Sequence, residues 1–316
     1  MTSNINNVEN QNTWFFHSFS GACSGSITRF VSQPFDVIKI RFQLQVEPVS
    51  QISCNSKYKS IFQSICLINK EEGIKALWKG HIPGQLLSST YGLTQFGVFQ
   101  TSLKYLSITE TELNQNSSVH FVCGVMSSTI ATIASYPFDV IRTRLVAQKS
   151  NQIYKNMRQV AFSIYKTEGV LAYYRGLFPT LVQNSLQGGL IFMFYNSFTK
   201  FTSTNTRTHK TGSEDYLNTV KQLSSGFLSG IAAKTCIYPL DIVKKRLQLQ
   251  DFVKTRNDFG KKFVCKGLVD CIYLTIKEES FFGLFKGLSP SLLKAGVSTA
   301  LHLAIYEHIF KLLNSY

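Results

Sequence analysis

The chain has 316 residues, of which 44% are apolar and only 16% charged, with 25 Phe, 14 Tyr and a formal net charge of +15. So few charges on so aromatic a chain argue against soluble domains and for a basic membrane protein. The seven cysteines form no CxxC pair, His302 and His308 have no third ligand nearby, and no phosphate-cradling glycine loop occurs, so neither a metal site, nor a cofactor, nor an enzyme is expected. Nor does any contiguous basic stripe with reading aromatics appear, which removes nucleic acid as a partner.

Residues 1–12 are polar and carry no positive charge, so they read as a tail with no secretory signal or cleaved presequence. The first span, residues 14–45, contains Pro34-Phe35-Asp36-Val37-Ile38-Lys39. That pattern returns as Pro137-Phe138-Asp139-Val140-Ile141-Arg142 in span 117–148 and as Pro239-Leu240-Asp241-Ile242-Val243-Lys244 in span 217–250. The prolines are 103 and 102 residues apart, so the chain is one unit repeated three times, over residues 13–109, 110–205 and 206–316.

After each proline motif comes a short amphipathic stretch, at 58–69, 154–166 and 266–277. A second landmark follows, Glu72-Gly73 to Lys79-Gly80, Glu168-Gly169 to Arg175-Gly176, and Glu279-Ser280 to Lys286-Gly287. Each unit closes with another span, at 82–106, 177–201 and 288–313. The fold expected is therefore an all-α membrane protein, with six transmembrane helices in three repeats, each repeat carrying one short amphipathic helix. Hydropathy alone should underrate the first, third and fifth spans, where the motif charges lie. Residues 202–219 read as a polar linker and 251–264 as a long loop, while Cys54 and Cys265 fall in loop-like stretches that should be accessible.

A lone charge at the bilayer centre costs at least about 2.5 kcal/mol, so the six motif charges must find partners or water. Pro34, Pro137 and Pro239 each remove a helical hydrogen bond, and three matching kinks would draw three helix ends together. The expected pairs are Asp36 with Arg142, Asp139 with Lys244, and Asp241 with Lys39, closing one end of a central cavity. Above them lie Arg29 and Lys234, each five residues before its proline, with Thr132 in the middle repeat. Unpaired cations in a cavity predict an anionic substrate such as a phosphate ester.

These motifs, recurring over nearly the whole chain, resemble the mitochondrial carrier family. The resemblance implies three repeats about a pseudo-threefold axis and solute exchange across the mitochondrial inner membrane by alternating access, with targeting signals inside the chain. It implies that the short helices and the loops after the first, third and fifth spans face the matrix. It makes the three motif pairs a matrix gate, braced by Gln43 and Gln248 but not by Val146. A second, cytoplasmic gate is implied at Tyr306 and Glu307, weakened because the matching Phe99-Gln100 and Tyr195-Asn196 lack the acid. Lys294 falls at a substrate contact position, and the corresponding positions on the other returning helices are Leu87-Ser88 and Gln183-Asn184. His81, Gln95, Tyr91, Gln187 and His302 could add hydrogen bonds or stacking, so that the anionic end takes Arg29, Lys234 and Lys294 while flat rings lie toward the second and fourth spans. The basic residues before Gly80, Gly176 and Gly287, at helix N-termini, point to anionic lipid headgroups, cardiolipin by the resemblance. Four runs, 35–45, 120–124, 238–248 and 286–295, are similar to the branch of that family that carries thiamine pyrophosphate, which implies import of that substrate by a monomer in exchange for a nucleotide. Other phosphorylated anions, such as adenine nucleotides or coenzyme A, and a transport-inactive adaptor are the alternatives.

Overall fold

The structure is a computed structural model that describes residues 2–45, 56–105, 117–148, 154, 156–203, 212–250, 265 and 267–314. Three proline-bearing helices, α1 (Thr2–Leu44), α4 (Ser117–Ala147) and α7 (Gly212–Gln248), alternate with three returning helices, α3 (His81–Tyr105), α6 (Leu177–Ser203) and α9 (Leu288–Asn314). Each pair is joined through a short helix, α2 (Ile61–Glu72), α5 (Met157–Glu168) or α8 (Leu268–Glu279), and one 3-10 turn. The six long helices are the transmembrane spans. The prolines sit inside helices that continue past them.

The most extensive contacts join each returning helix to the proline helix of the next repeat, α3 to α4, α6 to α7 and α9 back to α1. This cyclic interlock makes the three repeats one body. Large apolar side chains such as Leu93, Phe96, Phe121, Met126, Phe192 and Phe227 stand exposed on the outer faces, which is stable only where lipid replaces water. At one end the short helices cover the lower halves of the proline helices. There Val37, Ile38, Phe42, Tyr58, Ile68 and Leu77 pack in one cluster, and Tyr136, Val140 and Ile141 against Val160 and Ile164 in another.

Several local expectations are corrected. Each short helix begins and ends two or three residues later than its apolar pattern suggested, at Ile61–Glu72, Met157–Glu168 and Leu268–Glu279. Ser60 caps α2 by accepting a hydrogen bond from Gln63 N, and the ends come where the backbone turns to positive φ at Gly73, Gly169 and Ser280. Helix α1 already runs from Thr2, and α7 begins at Gly212, inside the supposed linker. Among the described residues, the stretches that pass as spans on mean hydropathy are Phe121–Ala147 and Ser224–Gln248, both in proline helices, the reverse of what the motif charges suggested. Cys265 is buried, whereas Cys54 and the loop 251–264 lie outside the described residues.

Gly287 shows why a landmark glycine opens each returning helix. Its φ is 84°, and a Cβ there would stand 2.8 Å from Tyr238 Oη and 3.1 Å from the Lys39 carbonyl oxygen. Only a residue without a side chain lets α9 start against α7 and α1 at once. Tyr238 Oη in turn donates to the Lys286 carbonyl at 3.0 Å.

Candidate functional site

Two rings of charge fill the narrow end. In the inner ring Asp36 pairs with Arg142, Asp139 with Lys244 at 2.7 Å, and Asp241 with Lys39 at 2.9 Å, linking α1 to α4, α4 to α7 and α7 to α1. Every carboxylate also takes a second cation: Lys294 on Asp36 at 2.7 Å, Lys245 on Asp139 at 2.9 Å, and Lys234 on Asp241 at 3.0 Å. The expectation that Lys234 and Lys294 are unpaired is thereby corrected. The cavity cations and the ring carboxylates are near enough to neutralise one another.

The neighbours of the three carboxylates differ. Gln248 donates to Asp139 at 2.9 Å and accepts from Lys245 at 3.0 Å and Thr143 at 2.8 Å. Gln43 instead donates to Tyr238 Oη at 3.0 Å and bonds no ring carboxylate. Gln183 donates to Asp241 Oδ1 at 2.7 Å, a ring contact rather than an open cavity position. Lys245 escaped the sequence reading, because Lys244-Lys245 looks like one basic turn. The signal was the doubling itself, since the matching positions hold Ile40 and Thr143.

The outer ring was also missed. Arg41, Arg144 and Arg246, each five residues after a motif aspartate, reach Glu72, Glu168 and Glu279, with one N–O distance of 2.9, 2.8 and 2.9 Å respectively. The three arginines are at most 2% exposed. Lys79, Arg175 and Lys286 complete the clusters at 2.6, 2.9 and 2.5 Å, so the bases expected to await lipid are already engaged. Lys286 also donates to the Gln45 carbonyl at 3.2 Å and Lys79 to the Gln148 carbonyl at 3.4 Å, placing positive charge at the C-terminal ends of α1 and α4. Burial pushes the Glu72 and Glu168 carboxyls up, but hydrogen bonds and charge from Arg41 with Lys79, and from Arg144 with Arg175, hold both below the ordinary range.

Gly80, Gly176 and Gly287 all have φ between 76° and 84° and abut the neighbouring proline helix. Beside Gly80 a cavity of about 290 Å³ is lined by Lys79, His81 and Ile82 together with Asn156 and Met157, so the N-termini of α3 and α5 face one space.

Above the inner ring, a cavity of about 420 Å³ lies between α1 and α9, lined by Arg29, Ser32, Lys294, Ser298 and His302 among others. Arg29 has no carboxylate within ion-pair distance among the described residues, and its buried Nε has no hydrogen-bond partner. It shares the space over Gly84 with Arg142; a Cβ added there would stand 3.4 Å from Arg29 Nε and 3.3 Å from Arg142 Nε. His81 meets Phe30 edge-on at 5.6 Å, Asn184 donates to Thr132 Oγ1 at 3.2 Å, and Ser88 is exposed. At the far end Tyr306 stacks on Phe310 at 6.1 Å, while Glu307 is exposed and makes no ion pair among the described residues.

Six spans in three interlocked repeats, closed at one end by a cyclic ring of ion pairs, define a membrane carrier. The family described as Mitochondrial carrier protein matches residues 10–109, 114–206 and 215–316, and the chain belongs to that family. Its members are transporters of mitochondrial membranes. The chain is 42% identical to the mitochondrial thiamine pyrophosphate carrier of Bos taurus over 91% of its own length and 89% of that protein. It is 40% identical to the mitochondrial thiamine pyrophosphate carrier of Homo sapiens, over 94% of this chain and 91% of that one. It is also 37% identical to the mitochondrial thiamine diphosphate carrier 2 of Zea mays, over 92% of each.

Proposed function

We propose that this protein imports thiamine pyrophosphate across the mitochondrial inner membrane in exchange for a nucleotide, by alternating access. The observation that carries the reading is Arg29, a largely buried cation with no carboxylate among the described residues, set beside Lys294 in one cavity. A diphosphate offers the charge that Arg29 lacks. The names of relatives at 37–42% identity support thiamine pyrophosphate as that diphosphate.

The inner ring is the matrix gate, and its second cations link it to the substrate. A diphosphate that draws Lys294 from Asp36 and Lys234 from Asp241 releases the contact of α9 with α1 and leaves each carboxylate with the one cation of the neighbouring proline helix, so substrate and ring compete for the same two lysines. Buried ion pairs lie close to break-even against desolvation, so removing one partner in exchange for another is a modest step. Tyr306 and Glu307 act at the cytoplasmic gate, where aromatic contact outweighs ion pairing. Serine, glutamine and asparagine at 88, 183 and 184, with His81, serve the substrate's polar part. The cavity beside Gly80, with two helix N-termini facing it, suits a cardiolipin phosphate, and by the repeat Gly176 and Gly287 take the same role. The protein acts as a monomer.

The test is uptake of labelled thiamine pyrophosphate into liposomes containing the purified protein, preloaded with ADP or left empty. Saturable uptake, faster with ADP inside, is expected. Uptake of ADP or coenzyme A but not of thiamine pyrophosphate would overturn the substrate; transport of nothing would favour the adaptor.

A further inference from the structure

Thr28, Arg29 and Ser298 line the same cavity between α1 and α9, and each carries a buried polar atom without a hydrogen-bond partner, Oγ1, Nε and Oγ respectively. Buried polar groups are nearly always satisfied, and three orphans in one space mark a place where a polar ligand completes the bonding. Arg29 accounts for an anion. Thr28, only 6% exposed, and Ser298 are neutral hydroxyls that an anion at Arg29 does not require.

The remaining lining extends away from the charge. Lys294, Ser298 and His302 succeed one another at four-residue spacing on α9, so the lysine and the histidine are about 12 Å apart along the axis. Opposite them on α1, Gly25 leaves open space where a side chain would stand. His302 is held by its neighbour: Ser24 donates its hydroxyl hydrogen to the Gly21 carbonyl at 3.1 Å, and its Oγ lies 3.2 Å from His302 Nδ1. With the Ser24 hydrogen already given, Oγ accepts from Nδ1–H. In the neutral imidazole that leaves Nε2 as a lone-pair acceptor.

We propose that the crevice between α1 and α9 binds the uncharged ring of the transported phosphate ester, with His302 Nε2 accepting a hydrogen bond from a ring amino group and Ser298 and Thr28 bonding the ring edge. This rests on the transport reading and deepens it, giving the substrate class as a planar amino-heterocycle tethered to a diphosphate. It moves the ring from the α3 and α6 side, where the sequence placed it, to the α1 and α9 side.

The experiment is competition against uptake of labelled thiamine pyrophosphate into liposomes, with thiamine as the ring-only competitor and inorganic pyrophosphate as the charge-only one. In His302→Ala the half-inhibitory concentration of thiamine should rise about fivefold, the worth of one hydrogen bond, while that of pyrophosphate stays unchanged. His302→Gln, whose amide oxygen can accept the same bond, should recover part of the loss. Equal weakening of both competitors, no change for thiamine, or a thiamine effect found in Gln187→Ala on α6 instead would overturn the proposal while leaving transport intact. Where the wild type carries only ADP, adenosine replaces thiamine as the ring-only competitor under the same expectation. A wild type that carries neither overturns the transport reading and this one with it.

Discussion

The two charged rings use the same chemistry for opposite ends. In the outer ring each arginine fastens a proline helix to the short helix of its own repeat, and the guanidinium, at most 2% exposed, meets a carboxylate through two nitrogens in Arg41 and Arg144. In the inner ring every pair but Lys234–Asp241, which lies within α7, crosses from repeat to repeat, and five of the six cations are lysines. Two of those, Lys234 and Lys294, have side chains 24% and 29% exposed, against 11% for Lys245. The difference separates parts that hold a repeat together from parts that can change partner.

The largest effect should come from the outer ring. Glu72→Ala leaves Arg41 buried without its carboxylate, a change worth about 3–5 kcal/mol, and should sharply lower the unfolding temperature in detergent. Asp36→Asn should cost less, because Lys294 reaches the cavity; an equal loss would erase the distinction between the rings. Acid probes the outer ring directly. The Glu72 and Glu168 carboxyls are depressed from 4.5 in the folded chain, so their contribution is full above that pH and is lost as pH falls through the folded value. A thermal-unfolding series from pH 7 downward should therefore drop steeply at the acid end, and less steeply in Glu72→Gln. Smallest is Ser280, the one non-glycine at positive φ among the described residues, directly after Glu279. Ser280→Gly should stabilise by about 1 kcal/mol through relief of backbone strain, with uptake unchanged; a loss of stability would show that the serine bonds something the strain argument omits.

Much of the inner ring was legible because three acids and three bases recur in otherwise apolar helices, where each charge demands a partner. The outer ring had equal recurrence, a base five residues beyond each aspartate and a glutamate before each glycine. Its pairing depends on how the short helix folds back, and no periodicity within one helix reveals that. Sharing of Lys294 with the ring was hidden for a related reason: Lys294 and Asp36 are 258 residues apart and meet only because α9 closes on α1. Lys234 and Asp241 stand seven residues apart on one helix, a two-turn spacing that could have revealed their pairing. Helix α2 was read early because apolar spacing continues upstream of the Ser60 cap, and there hydrogen bonding, not hydrophobicity, sets the boundary.

The central claim is that Lys294 serves both gate and substrate, whereas Lys245 serves the gate alone. Uptake kinetics of labelled thiamine pyrophosphate in Lys294→Met and Lys245→Met test it directly. The account predicts a KM raised about tenfold or more in Lys294→Met, and in Lys245→Met a changed maximal rate with KM near the wild-type value. A KM that rises equally in both, or in neither, would contradict it.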